Sequence, residues 1–98
     1  MKIEGNTVIF KSYLWNYDDE ESGLKPCTVR MLSGTEWDAF CEFGQLAPVR
    51  DPEKRKRLIR IVDADDPERY FEREITYCST IGELLYNQIV LICWENPE

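Results

Sequence analysis

Residues 23–30 are the part of the chain whose residue types could do chemistry. A turn at Gly23 is followed by Lys25, by the hydroxyl group of Thr28 and by the guanidinium group of Arg30. Because the side chains of a strand alternate between its two faces, Thr28 and Arg30 share a face if this segment is extended. Lys25 lies in the turn just before them. An ammonium, a hydroxyl and a guanidinium group then converge on a small volume, which suits phosphate or polarised carbonyl groups.

Size and composition predict one globular domain. The 98 residues can enclose a single core, and we expect residues 1–98 to form one unit. A hydrophobic content of 43% is too high for a disordered chain. The longest apolar run, residues 89–94, has the length of a strand, and residues 1–6 lack the apolar stretch of a signal peptide. We therefore expect a cytoplasmic protein without a membrane partner.

The cysteines and the missing histidine narrow the chemistry. The sequence has no histidine and four cysteines, Cys27, Cys41, Cys78 and Cys93. Ser-His and Cys-His catalysis are therefore excluded, and so are the common metal sites that rely on imidazole. No C-x-x-C pair is present, so we expect no metal and no cofactor. Nothing marks the chain as secreted, and free, mostly buried thiols are expected.

The charge of the chain bears on its partners. A net charge of -7 argues against binding to duplex DNA, which needs a basic face to neutralise phosphates. It leaves open a nucleotide-sized ligand held in a local basic pocket. Residues 18–21 form an acidic run and residues 54–57 a basic run, and each is most simply a solvated surface.

Hydrophobic periodicity and turn signals predict the order of the elements. The first half predicts a strand over residues 7–11, a helix over 12–22, a strand over 28–32 and a helix begun by a capping-box pattern at 35–38. Gly23 and Gly44 are placed to end the two helices, Gly23 in the left-handed conformation. The second half predicts a loop over residues 46–52, strands over 56–63 and 69–77 joined by an acidic turn, a helical turn within 79–86 and an apolar closing strand over 88–94.

This order predicts an α+β domain with a mostly antiparallel sheet and two or three short helices. In so small a chain we expect the sheet to curl into a partly closed β-barrel, because closure removes exposed edges and encloses the core.

With this order in place, the G-x-K-x-x-T-x-R pattern of Gly23, Lys25, Thr28 and Arg30 resembles the signature of the ASCH domains, a branch of the PUA-like β-barrel superfamily. The F-x-R-x-I pattern at residues 71–75 and the closing I-V-L-I-C-W strand are similar to those of small ASCH-like proteins of phage and prophage origin.

The resemblance implies a pocket for a nucleobase, a modified nucleoside or a single-stranded RNA segment. One ASCH branch hydrolyses the amide of N4-acetylcytidine with a lysine, a threonine and a glutamate. Lys25 and Thr28 match the first two by motif. The glutamate has no motif match. Glu72 or Glu74 lies in a strand where a carboxylate could approach the site, and Glu74 is our candidate. The expected ligand-binding set is Lys25, Thr28, Arg30 and Arg73.

Three interpretations stay open at this point. In the catalytic one, Lys25 acts as the base for the Thr28 hydroxyl without a histidine, and a carboxylate moves the proton to the leaving amine. In a purely structural one, Lys25 is a turn residue and Arg30 pairs with the acidic run. In the third, an acidic phage-type protein docks on a host nucleic-acid-handling protein through residues 18–21, with Trp15 and Tyr17 either as exposed anchors or in the core.

Overall fold

The computed structural model describes residues 1–45 and 57–95. The elements in these residues are, in order, β1 (Lys2–Glu4), β2 (Thr7–Ser12), α1 (Leu14–Ser22), β3 (Cys27–Leu32), α2 (Gly34–Gln45), β4 (Leu58–Asp63), β5 (Asp66–Leu84) and β6 (Asn87–Trp94). The predicted loop at residues 46–52 and the basic residues 54–56 lie outside the described residues. Neither of these two helices has the length and apolar character needed to cross a membrane.

The six strands belong to one sheet with the order β1-β2-β4-β5-β6-β3. β2 and β4 are parallel, and the other neighbouring pairs are antiparallel. The prediction of an α+β fold with a mostly antiparallel sheet is therefore confirmed. Among the described residues no backbone ladder joins β3 to β1 or β2, so the sheet is not closed in this part of the chain.

β5 is the strand that turns the sheet. Its first half pairs with β4 as far as Glu74, and its second half pairs with β6 from Ile75 onward. The register shifts between Ile75 and Tyr77, and such a bulge bends a strand and increases its twist. As a result β3 approaches β2 in space, where Arg30 Nη1 donates a hydrogen bond to the Lys11 carbonyl oxygen.

The core lies on the inner face of the sheet, against which both helices pack. Ile59 and Ile61 of β4 are fully buried and share one face, as the alternation of the sequence predicted. Tyr17 anchors α1 by an edge-to-face contact with Phe71, at 5.4 Å between ring centroids. Burying a side chain of this size contributes about 1.5–3 kcal/mol. The buried core residues are Val8, Phe10, Tyr17, Leu32, Phe40, Phe43, Ile59, Ile61, Phe71, Val90, Ile92 and Trp94.

The two ends of α1 were predicted unequally well. Gly23 follows the helix with φ 90°, the left-handed conformation that glycine adopts without steric cost. The start at Ser12 was wrong, because Ser12 is still the last residue of β2 and is buried on the same face as Phe10. Tyr13 then precedes the helix in an extended conformation.

The N-terminus of α2 is a capping box two residues earlier than predicted. The backbone N–H of Ser33 donates to Glu36 Oε1 at 3.1 Å, and the N–H of Glu36 donates to Ser33 Oγ at 3.4 Å. The hydrogen bond from Ser33 lowers the pKa of Glu36. Gly44 does not close the helix, which continues through Gln45.

The predicted helical turn within residues 79–86 was wrong, because β5 continues to Leu84 and pairs with Asn87. Leu85 and Tyr86 form the two-residue turn of the β5–β6 hairpin, with φ 49° and 70°. Positive φ at both positions is the type I′ geometry, which sequences normally mark with asparagine and glycine. Leu85 and Tyr86 are bulky and apolar, so the sequence carries no such signal at this turn.

Replacing Leu85 by Asn and Tyr86 by Gly should stabilise the protein. A side chain with a Cβ costs about 1–2 kcal/mol in the left-handed conformation, which glycine and asparagine tolerate better. We expect the double variant to raise the free energy of unfolding by about 1 kcal/mol in chemical denaturation. Leu85→Ala with Tyr86→Ala keeps both Cβ atoms and is the control. A double variant no more stable than this control would contradict the interpretation of a strained turn.

Candidate ligand-binding site

Lys25, Thr28 and Arg30 line one hollow of about 180 Å³, which we call the polar hollow. Thr28 is only 3% exposed, and Arg30 follows it on the inner face of β3. The turn after α1 carries Lys25 to the same place, because the Lys25 N–H donates to the Asp19 carbonyl oxygen at 3.1 Å. The residues around the hollow are Lys11, Ser12, Tyr13, Asn16, Glu20, Lys25, Thr28, Val29 and Arg30.

Arg30 joins the two sides of the polar hollow. Its Nε donates to Thr28 Oγ1 at 2.9 Å, its Nη2 to Ser12 Oγ at 2.6 Å and its Nη1 to the Lys11 carbonyl oxygen at 2.7 Å. The guanidinium carbon also lies 5.1 Å from the centre of the Phe10 ring. These contacts connect β3 to β2 across the open side of the sheet. Burial lowers the pKa of Arg30 and Glu20 opposes this, so the group stays cationic.

Glu20 is a buried carboxylate at the inner end of the hollow. It is 1% exposed, and its Oε1 accepts a hydrogen bond from Ser12 Oγ at 2.6 Å. Its Oε2 lies 3.9 Å from Arg30 Nη2, which is an ion pair but too long for a hydrogen bond. Among the described protein atoms, Oε2 has no hydrogen-bond partner. An unsatisfied buried oxygen of this kind is costly to stability.

The donor side of the hollow is formed by Lys25 and Thr28. Within the described part of the chain, the Lys25 ammonium has no carboxylate within ion-pair distance and remains available to a ligand. Because Thr28 Oγ1 already accepts from Arg30, its own proton can be donated. Cations, a hydroxyl group and an unsatisfied carboxylate oxygen thus share one small space.

The sequence analysis named neither Glu20 nor Ser12 as a site residue, although both carry a signal. Its structural interpretation, in which Arg30 pairs with the acidic run, agrees with the Arg30–Glu20 ion pair. Glu20 was interpreted as part of a solvated acidic run, but it falls three residues after Tyr17 and seven after Tyr13, on one side of the helix. Ser12 continues the period-two pattern of Phe10 into the core. In each case a polar residue occupies a position that the hydrophobic periodicity of its helix or strand assigns to the core.

Neither Glu74 nor Arg73 is among the residues that line the polar hollow. Glu74 is an exposed residue of β5, paired with Leu58 of β4. The guanidinium group of Arg73 instead donates to the Glu72 carbonyl oxygen at 2.8 Å and to that of Glu21 at 3.2 Å. It therefore satisfies a carbonyl group at the C-terminal end of α1. The carboxylate that the structure brings to Lys25 and Thr28 is that of Glu20.

The acidic run does not form a stripe of free carboxylates. Asp18 and Glu21 each lie 3.1 Å from Arg69 Nη2, and Glu20 is buried. Tyr17 belongs to the core, where burial and the hydrogen bond to Glu21 raise its pKa. Trp15, at 69% exposed, points to solvent. Little of the charge that motivated docking on a host protein is therefore left unpaired at the surface.

A larger hollow of about 540 Å³ adjoins the first one and shares Lys11 and Arg30 with it. It lies between the N-terminal strands and β3, where Met31 and Leu32 contribute apolar surface. The N-terminal ammonium group and Glu36 form an ion pair at 3.2 Å at this hollow. In the described residues no group of three or more Cys, Asp or Glu side chains is placed to hold a metal ion.

Removing Arg30 should be far more destabilising than removing Arg60, because the carboxylate that Arg30 faces is buried and the partner of Arg60 is not. Arg30→Ala leaves the buried Glu20 without a cation, and breaking such a pair costs about 3 kcal/mol. Adding Glu20→Gln should restore part of this loss in chemical denaturation. Arg60→Ala is the control, because its ion pair with Glu72 is partly solvated and contributes about 1 kcal/mol or less. If the double variant is no more stable than Arg30→Ala, the stabilities contributed by Arg30 and Glu20 are not coupled.

Comparisons with known proteins returned no match for this chain among protein-family models, curated proteins or solved structures.

Proposed function

We propose that the polar hollow binds a nucleobase, either in a free or modified nucleoside or as an unpaired base of a single-stranded RNA. The observation that carries the proposal is the Glu20 carboxylate, buried with Oε2 unsatisfied beside the donors Lys25 and Thr28. Nucleobases place N–H donors and carbonyl or ring-nitrogen acceptors next to each other on one edge. Glu20 Oε2 is closed to solvent in this structure, so an exocyclic amino group would donate to it after the side chains around the hollow move apart, and a neighbouring carbonyl group would accept from Lys25 or Thr28.

The rim of the hollow supports a flat, aromatic ligand. Tyr13 lines the hollow and is 63% exposed, so its ring is available to stack on a base entering from solvent. Lys11 lies at the same rim and shares the adjoining larger hollow. A nucleoside in the polar hollow would therefore leave its sugar and any phosphate near a lysine, and the net charge of -7 would disfavour long duplexes.

We also propose that the fold is a partly closed, ASCH-like barrel. Three features support this: the curl of the sheet at the β5 bulge, the approach of β3 to β2, and the position of the G-x-K-x-x-T-x-R segment at the open side. The Arg30 side chain spans the opening where a ladder of backbone hydrogen bonds would close a complete barrel.

Ligand binding should depend on Tyr13 and not on Trp15. Base stacking on an aromatic side chain contributes about 1–3 kcal/mol, so Tyr13→Ala should weaken binding of cytidine derivatives or a short unstructured RNA by about 5- to 150-fold. Trp15→Ala is a matched control, because Trp15 is equally exposed on α1 and does not line the hollow. Calorimetric titration measures both. Failure of every such ligand to bind the unaltered protein, or equal weakening by both variants, would contradict the proposal.

Hydrolysis of an N4-acylated cytidine is a second candidate function, favoured by the meeting of Glu20, Lys25 and Thr28 in one hollow. Neutral Lys25 would accept the Thr28 proton as Thr28 Oγ1 attacks the acyl carbon. The carbon–nitrogen bond then breaks, and the proton that Lys25 took from Thr28 passes through the Glu20 carboxylate to the departing amine. Water hydrolyses the acyl ester on Thr28, which releases the carboxylic acid and restores the hydroxyl group.

Incubation with N4-acetylcytidine, followed by chromatography, tests this second function. We expect cytidine and acetate in equal amounts, and a rate loss of about 100-fold or more in Thr28→Val and in Glu20→Gln. Glu74→Gln is the matched control, because Glu74 is an exposed glutamate away from the hollow. If the unaltered protein releases no cytidine, or if Glu74→Gln loses as much rate as Glu20→Gln, this assignment fails.

A further inference from the structure

Cys27 and Cys93 face each other across two antiparallel strands. Cys27 is the first residue of β3, and the register of the sheet places it directly opposite Cys93 of β6. Both side chains are partly exposed and both thiols are free. Burial raises the pKa of Cys93, and the charge of Cys27 and a hydrogen bond with Cys27 raise it further.

The hydrogen-bond pattern around the two cysteines identifies the type of pair. The Trp94 N–H donates to the Pro26 carbonyl oxygen at 3.1 Å, so Pro26 and Trp94 occupy the narrow, hydrogen-bonded position of the ladder. The next pair along, Cys27 and Cys93, is then a non-hydrogen-bonded pair, in which Cα atoms lie about 4.5 Å apart. That separation falls inside the range of about 4.4–6.8 Å that a disulfide requires.

The thiols lie on the outer face of the sheet. Thr28 and Ile92 are both buried on the inner face, so the preceding and following residues, Cys27 and Cys93, project the other way. Cys78 pairs with Ile92 and therefore belongs to the inner face, while Cys41 is on α2. Among the four cysteines, Cys27 and Cys93 are the pair that shares a face on adjacent strands.

We propose that Cys27 and Cys93 form a redox modification site, which a small-molecule disulfide such as oxidised glutathione converts reversibly into a cross-strand disulfide. One thiolate attacks a sulfur atom of the small disulfide, which forms a mixed disulfide and releases one small thiol. The second cysteine thiolate attacks the protein sulfur of that mixed disulfide and releases the second small thiol. The two cysteines are oxidised, the small disulfide is reduced, and the two protons lost by the protein end on the small thiols.

The geometry explains why this bond should be reversible. Opposed Cβ atoms lie about 4.5–5.5 Å apart, and a non-hydrogen-bonded pair such as this one is at the short end of that range, whereas a disulfide holds them at about 3.5–4.5 Å. The strands must therefore draw together slightly, and strained disulfides are the more easily reduced ones. Pro26 has no N–H, so a single hydrogen bond holds the Pro26–Trp94 pair at this end of β3.

The site is distinct from the polar hollow, and its chemistry does not rest on the function proposed for that hollow. Cys27 nevertheless immediately precedes Thr28 on the same strand. A disulfide between Cys27 and Cys93 would therefore fix the backbone position of the residue that precedes Thr28.

Equilibration of the folded, full-length chain in glutathione buffers of increasing oxidised fraction tests the proposal. After alkylation of the remaining thiols, peptide mapping should show a Cys27–Cys93 disulfide and two alkylated cysteines, Cys41 and Cys78. Reduced glutathione should reverse the bond without denaturant. Cys27→Ser should abolish the disulfide, whereas Cys78→Ser, the matched control on the neighbouring strand, should leave it unchanged.

Several outcomes would overturn the proposal. These are four alkylatable thiols at every buffer ratio, stable glutathione adducts without the internal bond, or a Cys78–Cys93 link formed as readily as Cys27–Cys93. If reduced glutathione breaks the disulfide only in the presence of denaturant, the bond is not reversible in the folded protein. Oxidation of the unfolded chain in urea provides the reference, because the preference for Cys27–Cys93 must disappear there if the fold creates it.

Discussion

The structure depends on the hydrogen bonds and the ion pair that the guanidinium group of Arg30 makes. This group comes from β3, one edge of the sheet, and donates to a backbone carbonyl group and a hydroxyl group of β2, with which β3 forms no backbone ladder in the described residues. It also forms an ion pair at 3.9 Å with the buried carboxylate of Glu20. A planar group with several fixed donors can hold two strands and a hydroxyl group together in a way that a lysine cannot.

This arrangement places an unusually polar cluster beside the core of a small domain. A chain of this size buries a modest fraction of its surface, so each buried charge is a considerable burden on stability. Ser12, Glu20 and Arg30 are satisfied largely by one another, and one carboxylate oxygen is left without a partner. This incomplete satisfaction is the observation on which the function proposed for the polar hollow rests.

Sequence patterns predicted most of the strands and the position of the motif. The strands at residues 7–11, 28–32 and 88–94 and the left-handed residue Gly23 were predicted correctly, because period-two alternation and turn chemistry are local properties. The predictions of the α2 cap and of the segment around Leu85 and Tyr86 were wrong for an equally local reason. The capping box begins two residues earlier than it was placed, and the turn lacks the asparagine and glycine that mark its type.

By itself the sequence determined the composition of the site segment: Lys25, a hydroxyl and Arg30 at a spacing that puts the last two on one face of a strand. Only the tertiary structure decided which carboxylate joins them. Glu20 lies five residues before Lys25, but its approach to Ser12 and Arg30, and the distance of Glu74 from this cluster, depend on how α1 packs against the sheet. The same is true of Cys27 and Cys93, which strand register alone makes neighbours. Contacts between residues far apart in sequence follow from packing and pairing, which local periodicity does not encode.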